Sequence, residues 1–204
     1  MSAAQRPRQP WPLKWIALVI VLVIGPYTFV RWHYRKPNRA FEPYHDMRDR
    51  ANTMRLLSAG FQRVALEADR PVDAAPLAAR ADISNALGGL PSVLASSLVE
   101  PPTLPVEILA VSAAPSTNPM FAYPIGVTCT LADNKTQISG AHLYARDEEI
   151  FILPEFEKID GGLLARTREV QFRLTVPPGA LKPGHYQATV VGLRSSKTWS
   201  LEVR

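Results

Sequence analysis

Residues 124–131 read PIGVTCTL, a run in which apolar side chains alternate with smaller or more polar residues. Such alternation is typical of a β-strand with one face in a core. Similar short runs, separated by turn residues, recur throughout residues 106–204. This spacing predicts an all-β fold over residues 106–204, an immunoglobulin-like β-sandwich of about seven strands.

Three residues of this predicted sandwich have structural roles. Tyr186 follows a Pro-Gly turn at the start of the sixth predicted strand, which resembles the tyrosine corner of immunoglobulin-like domains. The second core cysteine of such a domain would stand at Ala188, so Cys129, the single cysteine of the chain, has no partner. We therefore expect Cys129 to be a buried, inert thiol. Trp199 is expected to face the core.

Residues 11–30 read WPLKWIALVIVLVIGPYTFV, with no charged residue after Lys14. Twenty helical residues span about 30 Å, the thickness of the hydrocarbon core of a bilayer. A lone strand could not satisfy its backbone hydrogen bonds in lipid, so a helix is expected. The sequence thus predicts a transmembrane helix over residues 11–30, preceded by a tail of residues 1–10.

The flanks of this span match a membrane anchor. Lysine at its start can extend to the headgroups, aromatic residues mark both interfaces, and the Gly-Pro pair should kink the helix or end it. The predicted anchor residues are Trp11, Lys14, Trp15, Pro26, Tyr27 and Trp32. The alternative is a cleaved signal peptide, but bulky and basic residues follow the span instead of small residues at a cleavage site.

The predicted orientation of the chain in the membrane depends on the charges that flank the span and on the lengths of the segments before and after it. Basic residues flank both ends of the span in nearly equal number, and this count slightly favours the C-terminus inside. A short N-terminal tail usually stays inside, and long domains translocate largely regardless of charge. We predict a bacterial-type inner (cytoplasmic) membrane protein, single-pass, with its C-terminal domain outside the cytoplasm.

Residues 31–70 form a predicted juxtamembrane region that contains a short amphipathic helix within residues 43–60. Apolar residues there recur at spacings of three and four, which is one helical face. Three interpretations stay open: this face packs on its own domain, lies on the headgroups or docks a neighbouring membrane subunit. The candidate partner-contact residues are Tyr44, Met47, Met54 and Phe61.

Residues 71–105 are rich in proline, alanine and serine. Short pieces of this segment could be helical, but two adjacent glycines and a Glu-Pro-Pro sequence interrupt the pattern. We interpret residues 71–105 as a linker that drapes over a partner or stays mobile.

Residue types and spacings disfavour nucleic-acid binding, enzyme activity and metal binding. The net charge of +5 comes from basic residues around the apolar span, which favours lipid headgroups over nucleic acid. The acidic run Asp147–Glu149 suits a solvated turn better than a catalytic pair. A copper site would need ligands that converge, and the candidates are Met120, Cys129, His142 and His185. We predict no enzyme activity, no metal, no cofactor and no small-molecule substrate.

Residues 43–52 read PYHDMRDRAN. This stretch resembles the tyrosine-acidic-basic segment of the FixH family of single-pass membrane proteins, which accompany cytochrome oxidase maturation. The layout of an anchor, a short helix and a predicted sandwich is similar as well. The resemblance implies a role in assembling or stabilising a membrane electron-transport complex, and it carries over no catalytic residue.

These observations favour a non-catalytic accessory, stabilising or assembly subunit of a larger membrane complex in respiratory or photosynthetic electron transport. Its expected partners are the lipid bilayer and other subunits of that complex. Two alternatives stay open. One is a copper-delivery or oxidase-maturation factor that uses Cys129 and His142, and the other is a freestanding envelope binding or sensor module.

Overall fold

The computed structural model describes residues 12–33, 43–69, 80–159 and 164–204. The chain divides into two units, residues 1–46 and residues 47–204. The helices are α1 (Leu13–His33), α2 (Pro43–Ser58) and α3 (Ser92–Ser97). The strands are β1 (Gln62–Asp69), β2 (Ser84–Leu87), β3 (Glu107–Ala113), β4 (Ser116–Thr117), β5 (Tyr123–Thr130), β6 (Thr136–Arg146), β7 (Glu149–Lys158), β8 (Glu169–Val176), β9 (Gly184–Val190) and β10 (Ser195–Val203).

Helix α1 is the apolar helix that the sequence predicts, and it runs to His33 with Pro26 inside it. Its window Lys14–Arg31 is long and apolar enough to cross a membrane or to serve as a signal sequence near the N-terminus. No residue of that window is buried. The predicted tail and Trp11 lie outside the described residues.

Eight strands close into a β-barrel. Their order around the ring is β10-β3-β5-β8-β1-β6-β7-β9, and pairing of β9 with β10 completes the circle. The predicted immunoglobulin-like sandwich is therefore wrong, because a sandwich has two separate sheets with open edges, whereas each ring strand has a neighbour on both sides. Two neighbouring pairs of the ring are parallel, β7–β9 and β10–β3.

Strand β1 makes the closure possible. Residues 62–66 of β1 pair with β6, and residues 67–69 pair with β8. The predicted juxtamembrane region of residues 31–70 thus contributes a barrel strand as well as a helix. The sequence analysis missed β1, although Val64, Leu66 and Ala68 stand at alternate positions and pack in the interior core.

The barrel interior is a packed core. Along the run 124–131 every second side chain is buried, as the alternation predicts. An eight-stranded barrel is just wide enough for its own side chains to fill. The largest interior side chains are Trp199, Phe172, Ile108, Ile125, Leu143, Ile150, Ile152 and Leu174.

The seam between β3 and β10 is the weakest join of the ring. These strands share a single paired position, Glu107 with Ser195. The segment before β3 reinforces the seam: the Ala81 N–H donates to the carbonyl of Ala113, Ile83 packs against the interior core, and β2 pairs with β10. The same strand β10 also pairs with β4.

A second apolar layer lies outside the barrel wall. It packs residues from α2, from α3 and from the chain that follows α3 against β6 and β7, and its buried members are Leu56, Phe61, Leu94, Leu98, Tyr144, Leu153 and Val191. The predicted linker of residues 71–105 is therefore corrected over its described part. Residues 80–105 belong to the barrel unit and supply buried residues to both cores.

Candidate functional site on the outer face of α2

Helix α2 ends in a turn that sends the chain back toward the barrel. Gly60 has a φ of +79°, its N–H donates to the Leu57 carbonyl at 3.0 Å, and the Phe61 N–H donates to the Leu56 carbonyl at 2.8 Å. These two bonds form a Schellman motif, in which a glycine takes the left-handed conformation after the last turn. Leu56 and Phe61 are both buried in the outer layer. The end of α2 is thereby fixed to the barrel.

Two polar contacts fix α2 further. The Val99 N–H donates to Asn52 Oδ1 at 3.1 Å, and Arg48 pairs with Glu100 at 2.7 Å. Arg48, Asn52 and Leu56 stand four residues apart, so they share one side of the helix. This side faces the barrel.

The opposite side of α2 carries an apolar stripe, which we define as Met47, Met54 and Leu57. Their exposed fractions are 73%, 72% and 63%. Met54 follows Met47 by two turns and Leu57 follows Met54 by one, so the three share one surface. Within the part of the chain that the structure describes, Met47 and Met54 do not pack on their own domain, which was one of the three interpretations left open by the sequence.

The candidate contact residues do not all share this surface. Phe61 is 1% exposed and packs inward, because the turn at Gly60 reverses its direction. The structure thus separates Phe61 from Met47 and Met54. The side chain of Tyr44 lies outside the described residues. Sequence reasoning missed Leu57, although its place three residues after Met54 on one helical face could have indicated it.

Two shallow grooves lie beyond the end of α2, and the first of them includes Leu57 of the stripe. The first has a volume of about 340 Å³ and is lined mainly by the end of α2, including Leu56, Leu57 and Phe61. The second is about 270 Å³ and is lined by Arg146, Lys182 and Tyr186 among others. Both grooves include Gly60 and Gln62 in their walls. An apolar surface therefore continues into one that carries cationic groups.

A third, polar pocket lies on the barrel side of α2. Its volume is about 370 Å³, and Arg48, Arg63, Tyr144 and Glu155 are among its walls. Burial raises the pKa of Tyr144. None of these residues was singled out by the sequence, because they come from elements that are distant along the chain.

Beside this pocket, His142 lies between a cation and an anion. Its Nε2 is 2.6 Å from Arg63 Nη2 and 3.0 Å from Glu155 Oε1. The hydrogen bond with His142 lowers the pKa of Glu155. Nε2 donates to Glu155 when it carries a proton and accepts from Arg63 when it does not, so it bonds one of the two at a time. The contact joins strands β1, β6 and β7.

The copper ligands considered from the sequence are not brought together. Cys129 points into the barrel interior, and burial raises the pKa of its thiol to about 12. His142 is engaged with Arg63 and Glu155, while Met120 lies exposed on a loop. Within the described ranges, no group of three or more His, Cys, Asp or Glu residues could bind a metal ion.

The remaining predicted residues occupy structural positions. The Tyr186 hydroxyl donates to the Lys182 carbonyl at 3.0 Å, the bond expected of a tyrosine corner, although it occurs in a barrel. Trp199 is buried, and its Nε1–H donates to the Tyr123 hydroxyl at 3.3 Å. Lys14, Trp15, Pro26 and Tyr27 lie in α1 with exposed side chains, and Trp32 is helical with its side chain outside the described residues.

No family model, curated protein or solved structure matches the chain.

Proposed function

We propose that this protein is a non-catalytic, single-pass membrane protein that serves as an accessory, stabilising or assembly subunit of a larger membrane complex. In this proposal α1 is retained as an anchor in a bacterial-type inner membrane. The barrel unit lies outside the cytoplasm and contacts other subunits. The assignment to respiratory or photosynthetic electron transport comes from the resemblance of residues 43–52 to the FixH family.

Two features of α1 support a retained anchor. Its apolar side chains are exposed around the whole helix, so they need an apolar environment other than this chain. The sequence after the span, with Arg31, Trp32 and Tyr34, lacks the small residues at which a signal peptide is cleaved.

The observation that supports a contact with other subunits is a pair of exposed apolar side chains on a loop that hydrogen bonds hold in place. Met120 and Phe121 lie between β4 and β5 and are 77% and 70% exposed. Asn118 fixes this loop through bonds from the Met120 and Phe121 N–H groups, and the Gly179 N–H donates to the Pro119 carbonyl at 2.7 Å. A rigid apolar tip loses little conformational entropy on binding, which suits a protein contact.

The experiment compares two double variants of the full chain, purified through a tag from membranes in a mild detergent. M120D/F121D should lose partners that the wild-type chain recovers in stoichiometric amounts by mass spectrometry. M120S/F121S tests whether polarity alone suffices. Leu87→Asp, at a fully solvated position on β2, is the matched control and should retain the partners.

Recovery of the wild-type chain alone would contradict the subunit proposal. Visible absorption bands of haem or chlorophyll in the purified complex would support electron transport. A stable complex without such bands would keep the subunit role and overturn the assignment to electron transport.

A further inference from the structure

We infer that the apolar stripe of α2 lies against the headgroup region of an anionic bilayer, so that the barrel unit is seated on the membrane at a second point. This inference rests on the proposed anchoring through α1. It specifies the occupant of the stripe as lipid, with a protein partner as the alternative outcome of the test.

The first step is that the stripe is fixed in an outward direction. Leu56, on the other side of α2, is buried in the outer layer, and the Schellman turn fixes the end of the helix. The stripe therefore cannot rotate inward without breaking the bonds of Asn52 and Arg48. An apolar surface that is rigidly exposed indicates a permanent external contact.

The second step is charge. Arg50 and Arg55 are exposed on α2 near the stripe. Helix α2 carries Arg48, Arg50 and Arg55 against two acidic residues, Asp46 and Asp49. An apolar face flanked by arginines, whose apolar stems can extend along lipid, is the pattern of a helix that lies in the interface plane.

The third step is the adjoining groove. It continues from Leu57 past Gly60 to Arg146 and Lys182. The Arg146 guanidinium lies over the Phe61 ring, and its buried Nε is 3.7 Å from Asp147, so it is already engaged. Lys182 is exposed in the same groove, and its ammonium group can donate to a lipid phosphate at the surface. The grooves thus add anion recognition next to the apolar stripe.

The fourth step is proximity. Residues 34–42 connect α1 to α2. A connection of this length spans at most about 35 Å in any conformation. It carries Arg35, Lys36 and Arg39, which are attracted to anionic headgroups. Tethering through α1 makes the second contact effectively intramolecular, so even a small apolar stripe can bind.

The experiment places a fluorescent label on the stripe in the full chain. Met54→Cys, labelled with an environment-sensitive nitrobenzoxadiazole group, is reconstituted into nanodiscs with nitroxide-bearing lipids. Discs of phosphatidylcholine alone are compared with discs that contain phosphatidylglycerol. Met120→Cys, another exposed methionine, is the matched control, and the wild-type chain measures background labelling of the buried Cys129.

We expect the label at position 54 to lose most of its fluorescence to the lipid nitroxide and the label at position 120 to lose little. The loss should be greater with phosphatidylglycerol. R50Q/R55Q should remove the dependence on anionic lipid while the chain still enters the discs.

Three results would overturn the inference. Equal quenching at positions 54 and 120 would show that the stripe faces water. A label at position 54 that is unquenched in discs but shielded in native membranes would assign the stripe to a protein partner, and the proposed subunit role would survive. Failure of the chain to enter discs would instead contradict the anchoring on which both proposals rest.

Discussion

Helices α1 and α2 both expose large apolar side chains, but they differ in how much of the helix is exposed. Helix α1 exposes them on all sides between Trp15 and Val30, whereas α2 exposes Met47, Met54 and Leu57 and buries Leu56. A helix that is apolar all round needs an apolar solvent around it. A helix with one apolar face needs only one apolar surface. A spanning helix therefore exposes apolar side chains around its whole circumference, whereas an interfacial helix exposes them on one face only.

Charges placed in α1 should have the largest effect, because they should prevent membrane integration of the helix. Arginine near the centre of a transmembrane helix costs about 3 kcal/mol. Val21→Arg combined with Leu22→Arg should therefore abolish membrane integration, measured as the fraction of the full chain that resists an alkaline carbonate wash. Met54→Arg on α2 is the matched control and should stay integrated. A double variant that remains as resistant as the wild type would contradict the assignment of α1 as the span.

The outer apolar layer, which packs Leu56 of α2 with Phe61 after the turn, should be the next most sensitive. Phe61→Ala removes a ring that packs with Leu56 and lies 4.8 Å below the guanidinium of Arg146. Truncation of a buried phenylalanine lowers the free energy of unfolding by about 3–5 kcal/mol. Urea unfolding in detergent, followed by tryptophan fluorescence, measures this loss. Phe121→Ala, at an exposed phenylalanine, should change the same quantity by about 0.5 kcal/mol or less.

The contact beneath α2 predicts a pH dependence. Because its hydrogen bond with His142 lowers the pKa of Glu155 in the folded state, Glu155 binds protons more weakly there than in the unfolded chain. It therefore stabilises the fold above its unfolded pKa, and this contribution is lost as the pH falls through the lower, folded value. Glu155→Gln should reduce stability at neutral pH and leave it unchanged in strong acid.

Urea unfolding of wild type and Glu155→Gln across this acidic range tests the sign. Glu148→Gln, in the exposed turn between β6 and β7, is the control. A difference between wild type and Glu155→Gln that grows toward low pH would contradict the stated direction.

The exposed side of α2 should matter least for stability. M47S/M54S changes two solvated side chains and should alter the free energy of unfolding by about 0.5 kcal/mol or less per site. The same variant should weaken the quenching of a label at Leu57 by lipid nitroxides. A large loss of stability would show that the stripe packs inside the protein.

Sequence patterns predicted the individual strands and helices better than the closure of the strands into a barrel. Alternation correctly indicated the buried residues Ile125, Val127 and Cys129, because one face of β5 lines the barrel interior. The architecture was missed because β1 and β2 lie in the predicted juxtamembrane region and linker, and Leu66 is the only fully buried residue of the two strands. Without these strands, the remaining pattern resembles a sandwich.

For the candidate site, the helical spacing of Met47 and Met54 correctly indicated a common face. The same spacing wrongly added Phe61, because a helical period applies only up to the turn at Gly60. The second groove depends on Arg146 and Lys182, which lie near Gly60 and Gln62 only through the barrel topology. Local periodicity carries no information on such contacts.

Both proposals require that α1 remains part of the mature protein and anchors the barrel unit to the membrane. Intact mass spectrometry of the chain, purified from membranes through a C-terminal tag, tests this requirement. We expect a species that retains residues 13–33, with a mass near the 22.5 kDa of the chain plus the tag. A species that begins after His33 would show that α1 is a cleaved signal sequence and would contradict both the anchoring and the membrane contact of α2.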